Sequence, residues 1–342
     1  MKKKGVMLGA AIGLGCWAVA AAVERRSFGQ LKGKTVLITG SSRGLGLALA
    51  EQFGRNGARL LLTARDAAEL QEAKEQLIAQ GVAEEDVSCI PCDLTNYDET
   101  KAMVALATER MGRIDVLVNN AGVISVGPVE DQPVTAFKDA IESNYYSALH
   151  ATHSVLPQML ARCSGNIVNI ASIGGKIAVP HLLPYSASKF ALVGFSQGLH
   201  AELIMKGIQV TTVCPGLMRT GGHIQALFTG DREREYRWFS MGASLPAVSI
   251  AATSAARKIV RATVRGDAEL KITPQASIAA GVAQLAPAFT GRLLGLVNHV
   301  ILPTPQSTDN SGFERGEFVR GKELTLLTVI GNAARRRLNQ HG

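Results

Sequence analysis

Short apolar runs alternate with longer amphipathic stretches between residues 34 and 272. This order predicts strands that alternate with helices, and therefore a parallel sheet with helices on both faces. The seven predicted strands are Thr35–Thr39, Ala58–Thr63, Val87–Pro91, Ile114–Val118, Asn166–Ile170, Ile208–Val213 and Glu269–Ile272. We expect an α/β fold with a doubly wound, seven-stranded, Rossmann-like parallel sheet in a single catalytic domain, residues 34–272.

A glycine-rich turn, Gly40–Gly46, directly follows the first predicted strand, and a helical stretch follows the turn. Glycines let the backbone turn tightly and approach a pyrophosphate, whose negative charge is stabilised at a helix N-terminus. The strand before the turn and the helix after it make dinucleotide binding the expected role.

Two arginines lie where the adenosine end of a dinucleotide is expected: Arg43 within the turn and Arg65 after the second predicted strand. Sites that prefer NAD place a carboxylate after this strand to bind the ribose 2′-hydroxyl, whereas here Asp66 comes one residue later. Arginine binds phosphate well, so the sequence favours NADP(H) over NAD(H). The alternative is that Arg65 only caps a solvated turn.

Tyr185 and Lys189 are four residues apart on a predicted helix that Pro184 opens, so they share one helix face. A neighbouring cation lowers the pKa of a phenol towards the neutral range, which would suit Tyr185 to proton transfer. Ser172, at the end of the fifth predicted strand, is placed to hydrogen-bond the same substrate oxygen.

Together these motifs resemble the short-chain dehydrogenase/reductase family over residues 34 to about 272. The matching motifs are Thr39-Gly40-x-x-x-Gly44-x-Gly46, Asn119-Asn120-Ala121-Gly122, Asn144, Ser172, Tyr185-x-x-x-Lys189 and Pro215-Gly216 with Thr220.

The resemblance implies a role for each matched residue. Tyr185 would be the general acid/base, Lys189 would lower its pKa and bind the nicotinamide ribose, and Ser172 would polarise the carbonyl. Asn144 would hold a water in the proton relay. The implied NADP(H)-binding residues are Gly40, Ser42, Arg43, Gly44, Leu45, Gly46, Arg65, Asp93, Leu94, Asn120, Ala121, Gly122, Tyr185, Lys189, Pro215, Gly216 and Thr220.

The leading functional interpretation is an NADP(H)-dependent oxidoreductase that interconverts a carbonyl and an alcohol on a small lipophilic substrate. Apolar residues between 217 and 245, such as Phe228 and Phe239, would form a substrate lid or simply core. Two alternatives remain: a 3-oxoacyl-carrier reductase of lipid synthesis, and a non-catalytic dinucleotide-binding protein. We expect a homo-oligomer.

The net charge of +8 lies entirely in the two ends of the chain, because residues 34–311 carry 24 basic and 24 acidic side chains. A neutral body argues against nucleic acid as a partner, and mildly against docking of an acidic acyl carrier. Basic ends favour an anionic membrane surface.

The N-terminal segment, residues 1–33, contains a 19-residue uncharged stretch, Gly5–Val23, between Lys2–Lys4 and Arg25–Arg26. This stretch is long enough to cross a bilayer as a helix, although it is rich in Ala and Gly. A cleaved signal peptide is the alternative, but an intracellular cofactor favours a retained, hydrophobic helical anchor. We expect a membrane-associated protein, with membrane lipid as a partner and the catalytic domain in the cytoplasm.

The C-terminal extension, residues 273–342, is expected to be helical. Its apolar stretches, Ala276–Gly291 and Leu293–Leu302, are broken by Pro287 and predict two short helices that are buried or lie at a membrane interface. A polar linker at 303–312 and a short helix at 323–337 with a basic end would follow.

The remaining polar clusters predict no further chemistry. Five cysteines make no disulfide framework, and the Cys89-x-x-Cys92 pair falls in a predicted strand without further metal ligands. No metal is expected. The mixed-sign run Asp231–Glu235 predicts a solvated helix face.

Overall fold

The structure, a computed structural model, describes residues 29–244, 249–305, 312–319 and 337–340. Its central sheet has seven strands, all parallel, in the spatial order β7-β6-β5-β4-β1-β2-β3. The strands are β1 Thr35–Thr39, β2 Arg59–Thr63, β3 Val87–Cys89, β4 Val116–Asn119, β5 Gly165–Ile170, β6 Ile208–Cys214 and β7 Glu269–Lys271. The predicted doubly wound sheet is confirmed.

Helices cover both faces of the sheet. In chain order they are α1 Gly44–Gly54, α2 Ala67–Ala79, α3 Tyr97–Met111, α4 Val134–Ile141, α5 Ser147–Ala161, α6 Leu183–Leu203, α7 Arg232–Ser244, α8 Ala252–Arg265, α9 Pro274–Leu285, α10 Pro287–Val300 and α11 Gly316–Val319.

Strand β1 shows how the sheet separates two apolar layers. Val36 and Ile38 pack with the buried residues of α1, α2 and α8, whereas Leu37 between them packs with those of α3 and α5. Alternate side chains of a strand point to opposite faces, and here both faces are covered. This burial explains why the sequence of β1 is apolar without alternation.

Side chains cap the N-termini of helices α2 and α3. The Asp66 carboxylate accepts hydrogen bonds from the N–H groups of Ala68 and Glu69 at the start of α2. Asn96 caps α3 in the same way. Capping satisfies backbone donors that have no partner within the helix.

The C-terminal extension returns to the body. Glu314–Arg315 pairs with Leu227–Phe228, which also pairs with Ser125–Val126 in a small three-stranded sheet. Residues 337–340 lie against the glycine-rich turn, where Leu338 joins the core layer of α1 and α8.

Helices α9 and α10 form a bent pair with an angle of 119° between them. Within the described ranges, no single helix has the length and apolar composition needed to cross a membrane, although this pair taken together meets that test. The predicted anchor at Gly5–Val23 and most of the predicted basic helix at 323–337 lie outside the described residues.

Candidate active site

A cavity of about 670 Å³ opens at the carboxyl edge of the sheet. Cavities of this size hold cofactor-sized ligands, and open parallel sheets bind ligands at this edge. The predicted cofactor and catalytic residues that line it are Gly40, Ser42, Arg43, Gly44, Leu45, Arg65, Asp93, Leu94, Asn120, Ala121, Gly122, Asn144, Tyr185, Lys189 and Thr220. Gly46, Ser172, Pro215 and Gly216 are not among the lining residues.

The glycine-rich turn requires glycine for two distinct reasons. Gly40 and Gly44 both have φ of +60°, a conformation that side chains disfavour. Gly46 lies beneath the turn, where an added Cβ would come within 2.1 Å of the Gly40 carbonyl oxygen. The turn thus presents bare backbone to the cavity at the start of α1, which fits the phosphates of a dinucleotide.

The loop after β4 is fixed to the glycine-rich turn by hydrogen bonds. The Asn120 side-chain amide donates to the carbonyls of Thr39 (3.0 Å) and Gly40 (2.9 Å). The Thr39 hydroxyl accepts from the N–H groups of Asn120 (2.9 Å) and Ala121 (3.0 Å). Asn120 therefore shapes the cavity wall through backbone contacts. Thr39, the first residue of the glycine-rich motif, holds the loop after β4 in place.

Tyr185 lines the cavity, and Ser172 lies behind it as a hydrogen-bonded neighbour. The Ser172 hydroxyl accepts a hydrogen bond from the N–H of Gly174 at 3.0 Å. Burial raises the pKa of the Tyr185 phenol above its ordinary value, and a hydrogen bond with Ser172 acts in the opposite direction. This hydrogen bond places the two hydroxyls side by side, and their contact with one substrate oxygen stays a prediction.

Lys189 occupies the same face of α6 but contacts the backbone rather than the phenol. Its ammonium donates to the Ile170 carbonyl at 3.0 Å and lies 5.8 Å from the centre of the Tyr185 ring. Burial lowers the pKa of Lys189 to about 8. Burial is the largest influence on the pKa of the Tyr185 phenol here, and the lowering of that pKa by Lys189 stays a prediction.

Asn144 lies in a π-helical turn, Glu142–Tyr146, that interrupts the run from α4 to α5. Its amide donates to the Val123 carbonyl (3.0 Å) and the Ser188 hydroxyl (2.9 Å), and its oxygen accepts from the Val123 N–H (2.8 Å). The Asn144 side chain thus links the loop after β4 to helix α6, which carries Tyr185 and Lys189. Isolated π turns occur frequently at functional sites.

At the adenosine end the two arginines differ. The Arg43 guanidinium pairs with Glu69 at 2.5 Å, and the Ser42 hydroxyl donates to the same carboxylate at 2.9 Å. Arg65 is exposed at the cavity edge, without an ion-pair partner among the described residues. The Asp66 carboxylate caps the N-terminus of α2. Arg65 is therefore the cation most available to a 2′-phosphate, and Glu69 is a carboxylate that the sequence reasoning missed.

The predicted residues Pro215 and Gly216 lie near the cavity without lining it. Pro215 contributes its carbonyl, which accepts from the N–H of Ile173 at 2.7 Å beside Ser172. A Cβ added to Gly216 would lie 3.5 Å from the hydroxyl oxygen of Thr273, at the start of α9. The Thr220 hydroxyl, which does line the cavity, accepts from the N–H of Gly222.

The apolar segment after β6 divides between lid and core. Met218 and Leu227 line the cavity, whereas Phe228 and Phe239 are buried in a cluster that also contacts the Tyr185 ring. Phe228 and Phe239 are therefore core residues, and a substrate lid stays a prediction for the part of the segment that lines the cavity.

Glu235 corrects the prediction of a solvated face over Asp231–Glu235. The side chain is 0 % exposed and accepts from Trp238 at 2.6 Å, and it bonds His181 at 2.7 Å. Charge patterning along one helix does not reveal this burial, because His181 comes from the loop before α6. The pair connects helix α7 to the segment that leads into Tyr185.

The cysteines contribute no site in the described structure. Cys89 and Cys92 are free thiols, and burial raises the pKa of both. Across the described residues no group of three His, Cys, Asp or Glu side chains could hold a metal ion.

Comparison with known proteins agrees with the geometry. The model of the short chain dehydrogenase family matches residues 34–227, more than half of the chain. The chain belongs to the short-chain dehydrogenase/reductase family. A protein of Streptomyces coelicolor named as a candidate ketoacyl reductase is 40% identical over 189 residues, which cover 55% of this chain and 71% of the relative.

Two further comparisons extend this membership. A "Dehydrogenase/reductase SDR family protein 7-like" of Anopheles gambiae is 34% identical over 268 residues, covering 77% of this chain and 83% of the relative. The crystal structure of an actinorhodin polyketide ketoreductase with NADPH superposes with a TM-score of 0.61 at 32% identity, covering 70% of this chain and 95% of that chain. The chain is thus an oxidoreductase of the short-chain dehydrogenase/reductase family.

Proposed function

We propose that this chain is an NADP(H)-dependent oxidoreductase that interconverts a carbonyl and an alcohol on a small lipophilic substrate. The observation that carries the proposal is the convergence of the glycine-rich turn, Tyr185 and Lys189 on one cavity beside Ser172. The structural relative with NADPH supports the choice of dinucleotide. A bound nicotinamide would supply or accept the hydride.

The chain's own residues would transfer the proton to and from the substrate oxygen. The Tyr185 hydroxyl donates a proton to the developing alkoxide when a carbonyl is reduced, and removes it when an alcohol is oxidised. Ser172 accepts from the Gly174 N–H, which leaves its own hydroxyl proton available for donation to a substrate oxygen. Because burial raises the pKa of Tyr185, the neutral, proton-donating phenol is favoured at neutral pH.

The cavity wall near Tyr185 supports a lipophilic substrate. Ile124, Met218 and Leu227 contribute apolar side chains to the cavity lining, beside polar ones that include Arg315. Apolar walls with few polar groups favour ligands of the same character. A screen of lipid extracts that follows NADPH absorbance with the purified protein tests this, and turnover confined to water-soluble carbonyls would contradict it.

A 3-oxoacyl-carrier reductase is the second candidate, favoured by the similarity to a polyketide ketoreductase and to the Streptomyces relative. The two candidates separate in one assay. A 3-oxoacyl group presented on its carrier protein and the same group presented on a short thiol are compared for kcat/KM. A large preference for the carrier-bound form supports the second candidate.

We also propose that the protein associates with a membrane, with its catalytic body in the cytoplasm. Helices α9 and α10 support this, because every described residue of α10 has exposed surface and large apolar side chains of both helices face outwards. They are Ile278, Val282, Leu285, Phe289, Leu293, Leu296 and Val300. Exposed apolar patches of this kind mark contact with lipid or protein.

Fractionation at low salt with and without residues 1–26, followed by protease treatment of sealed vesicles, tests the membrane proposal. A full-length protein that stays wholly soluble would contradict the association. Protection of the body from cytoplasm-side protease would contradict the orientation.

We also propose that the protein forms a homo-oligomer. Leu160 on α5 and Leu183 and Phe190 on α6 are large apolar side chains exposed on the body. Light scattering on the detergent-solubilised protein measures the mass, and a monomer at micromolar concentration would contradict the proposal.

A further inference from the structure

The chain's own carboxyl-terminal segment, Arg337–Gln340, lies on the glycine-rich turn. The N–H of Gly44, at the start of α1, donates to the carbonyl oxygen of Leu338 at 2.9 Å. The Leu338 side chain is 2 % exposed and packs in the core layer of α1 and α8. The segment is thus seated through both its backbone and an apolar anchor.

Contacts on either side of Leu338 hold the segment in place. The Arg337 carbonyl accepts from the Gln76 side chain of α2 at 2.8 Å. The Arg337 guanidinium lies 3.4 Å from the carboxylate of Glu51, which is 3 % exposed. Because Glu51 is buried, this ion pair is screened less than a surface pair.

Residues 339 and 340 continue over the turn. Asn339 adopts a left-handed conformation with φ of +51°, which asparagine tolerates, and its amide lies 3.5 Å from the Ser42 carbonyl. The Gln340 side chain lines the cavity, with its nitrogen 2.7 Å from the position of a Cβ added to Gly44. The segment therefore covers the face of the turn that opens to the cavity.

Three donors of the turn are consequently occupied by acceptors from the chain itself. Gly44 is bonded to the Leu338 carbonyl, and Arg43 and Ser42 are both bonded to Glu69. Backbone N–H groups at a helix N-terminus attract anions, so these are the groups a dinucleotide pyrophosphate would use. A carbonyl oxygen and a carboxylate thus accept from donors that the phosphates would need.

We propose that Arg337–Gln340 is an internal strap that competes with the dinucleotide phosphates for the glycine-rich turn. The inference rests on the proposed NADP(H) dependence. When the strap is bound the turn is closed to phosphate, and when it is released the Gly44 N–H is open. The apparent cofactor affinity is therefore reduced by the fraction of molecules in which the strap is bound.

Full-length variants that weaken the strap test the competition. Arg337→Glu places a carboxylate against Glu51, and Leu338→Ser removes the apolar anchor. Both should bind NADPH at least about fivefold more tightly than the unaltered protein in a fluorescence titration, because the competing state is depopulated. Arg257→Glu, the same charge change on an exposed arginine of α8, is the matched control and should leave the Kd unchanged.

Arg337→Glu keeps the proposal testable if Leu338→Ser unfolds, since the Arg337 side chain is half exposed. Weaker binding by the folded variants would mean that the segment closes over the dinucleotide rather than competing with it, and would overturn the proposal. Unchanged binding would overturn it as well.

Hydrogen exchange on the unaltered protein gives a second readout that is independent of activity. Adding NADPH should speed exchange in the peptide that contains residues 337–340 while protecting the glycine-rich turn. NADPH that protects the turn and leaves the tail unchanged or also protected would refute the strap alone. A failure to detect NADPH binding to any of the strap variants would instead refute the proposed cofactor.

Discussion

The ammonium of Lys189 donates a hydrogen bond to the carbonyl of Ile170, 3.0 Å away at the end of β5. The lysine is thereby held 5.8 Å from the centre of the Tyr185 ring, as a buried cation whose pKa is lowered to about 8. Burial disfavours the charged form, so keeping this ammonium inside the protein costs stability.

This cost predicts a specific dependence of stability on pH. Between about pH 8 and pH 10.5 the unfolded chain binds a proton on Lys189 and the folded protein does not, so the Lys189 contribution to the free energy of unfolding rises with pH. Below pH 8 both states are protonated and the cost is fully present. In Lys189→Met the difference from the unaltered protein should therefore change by roughly 2–3 kcal/mol across this window.

Urea unfolding at pH 7, 8.5 and 10 measures that difference. The control is Lys258→Met, because Lys258 also donates to a carbonyl, that of Ile272, but lies exposed on α8. It reports the effect of removing a lysine hydrogen bond alone. A difference for Lys189→Met that stays constant with pH would show that Lys189 is not buried as described.

The buried carboxylate of Glu235 should contribute strongly to stability. Glu235→Ala removes the acceptor for His181 and Trp238 and should lower the free energy of unfolding by about 2–4 kcal/mol. Glu233→Ala, on the exposed side of the same helix, should change it by less than about 0.5 kcal/mol. Chemical denaturation measures both, and equal effects would contradict the role given to Glu235.

The close packing beneath the glycine-rich turn predicts an effect on cofactor binding. An added Cβ at Gly46 would meet the Gly40 carbonyl at 2.1 Å, so Gly46→Ala should displace the turn and weaken NADPH binding at least tenfold. Gly281→Ala in α9, where an added Cβ meets nothing within 4 Å, should leave the Kd unchanged. Calorimetric titration measures both, and normal binding by Gly46→Ala would place the phosphates elsewhere.

Cofactor preference should depend on Arg65 more than on Arg43, since Glu69 pairs with Arg43. Arg65→Asp should weaken NADP(H) about tenfold or more and improve NAD(H), whereas Arg257→Asp on α8 should do neither. Paired titrations with the two cofactors give the ratio. Tighter NAD(H) than NADP(H) binding by the unaltered protein would refute the assignment.

The sequence predicted the fold well because the body is built from local signals. The apolar runs of β1 and β6 are buried on both faces, so their patterns needed no tertiary information. The glycine-rich turn and the Tyr185 and Lys189 pair are likewise defined by short spacings. The structure places these groups around one cavity.

What the sequence left out depends on contacts between distant segments. Glu69 reaches Arg43 across 26 positions, and Glu235 meets His181 across 54. Leu338 joins the core almost 300 residues from Gly44, although its own sequence reads as part of a basic tail. Periodicity and motif spacing carry no information about such pairs.

The most direct test of the account is the turnover of Tyr185→Phe with NADPH and a lipophilic carbonyl that the unaltered protein reduces. The phenol oxygen is the only group lost, so kcat should fall by about 10²–10⁴-fold while the Kd for NADPH stays within about twofold. Tyr146→Phe, which removes the hydroxyl of an exposed tyrosine at the end of the π turn, should retain normal turnover. If Tyr185→Phe turns over at a near-normal rate, Tyr185 is not the proton donor and the proposed mechanism is wrong.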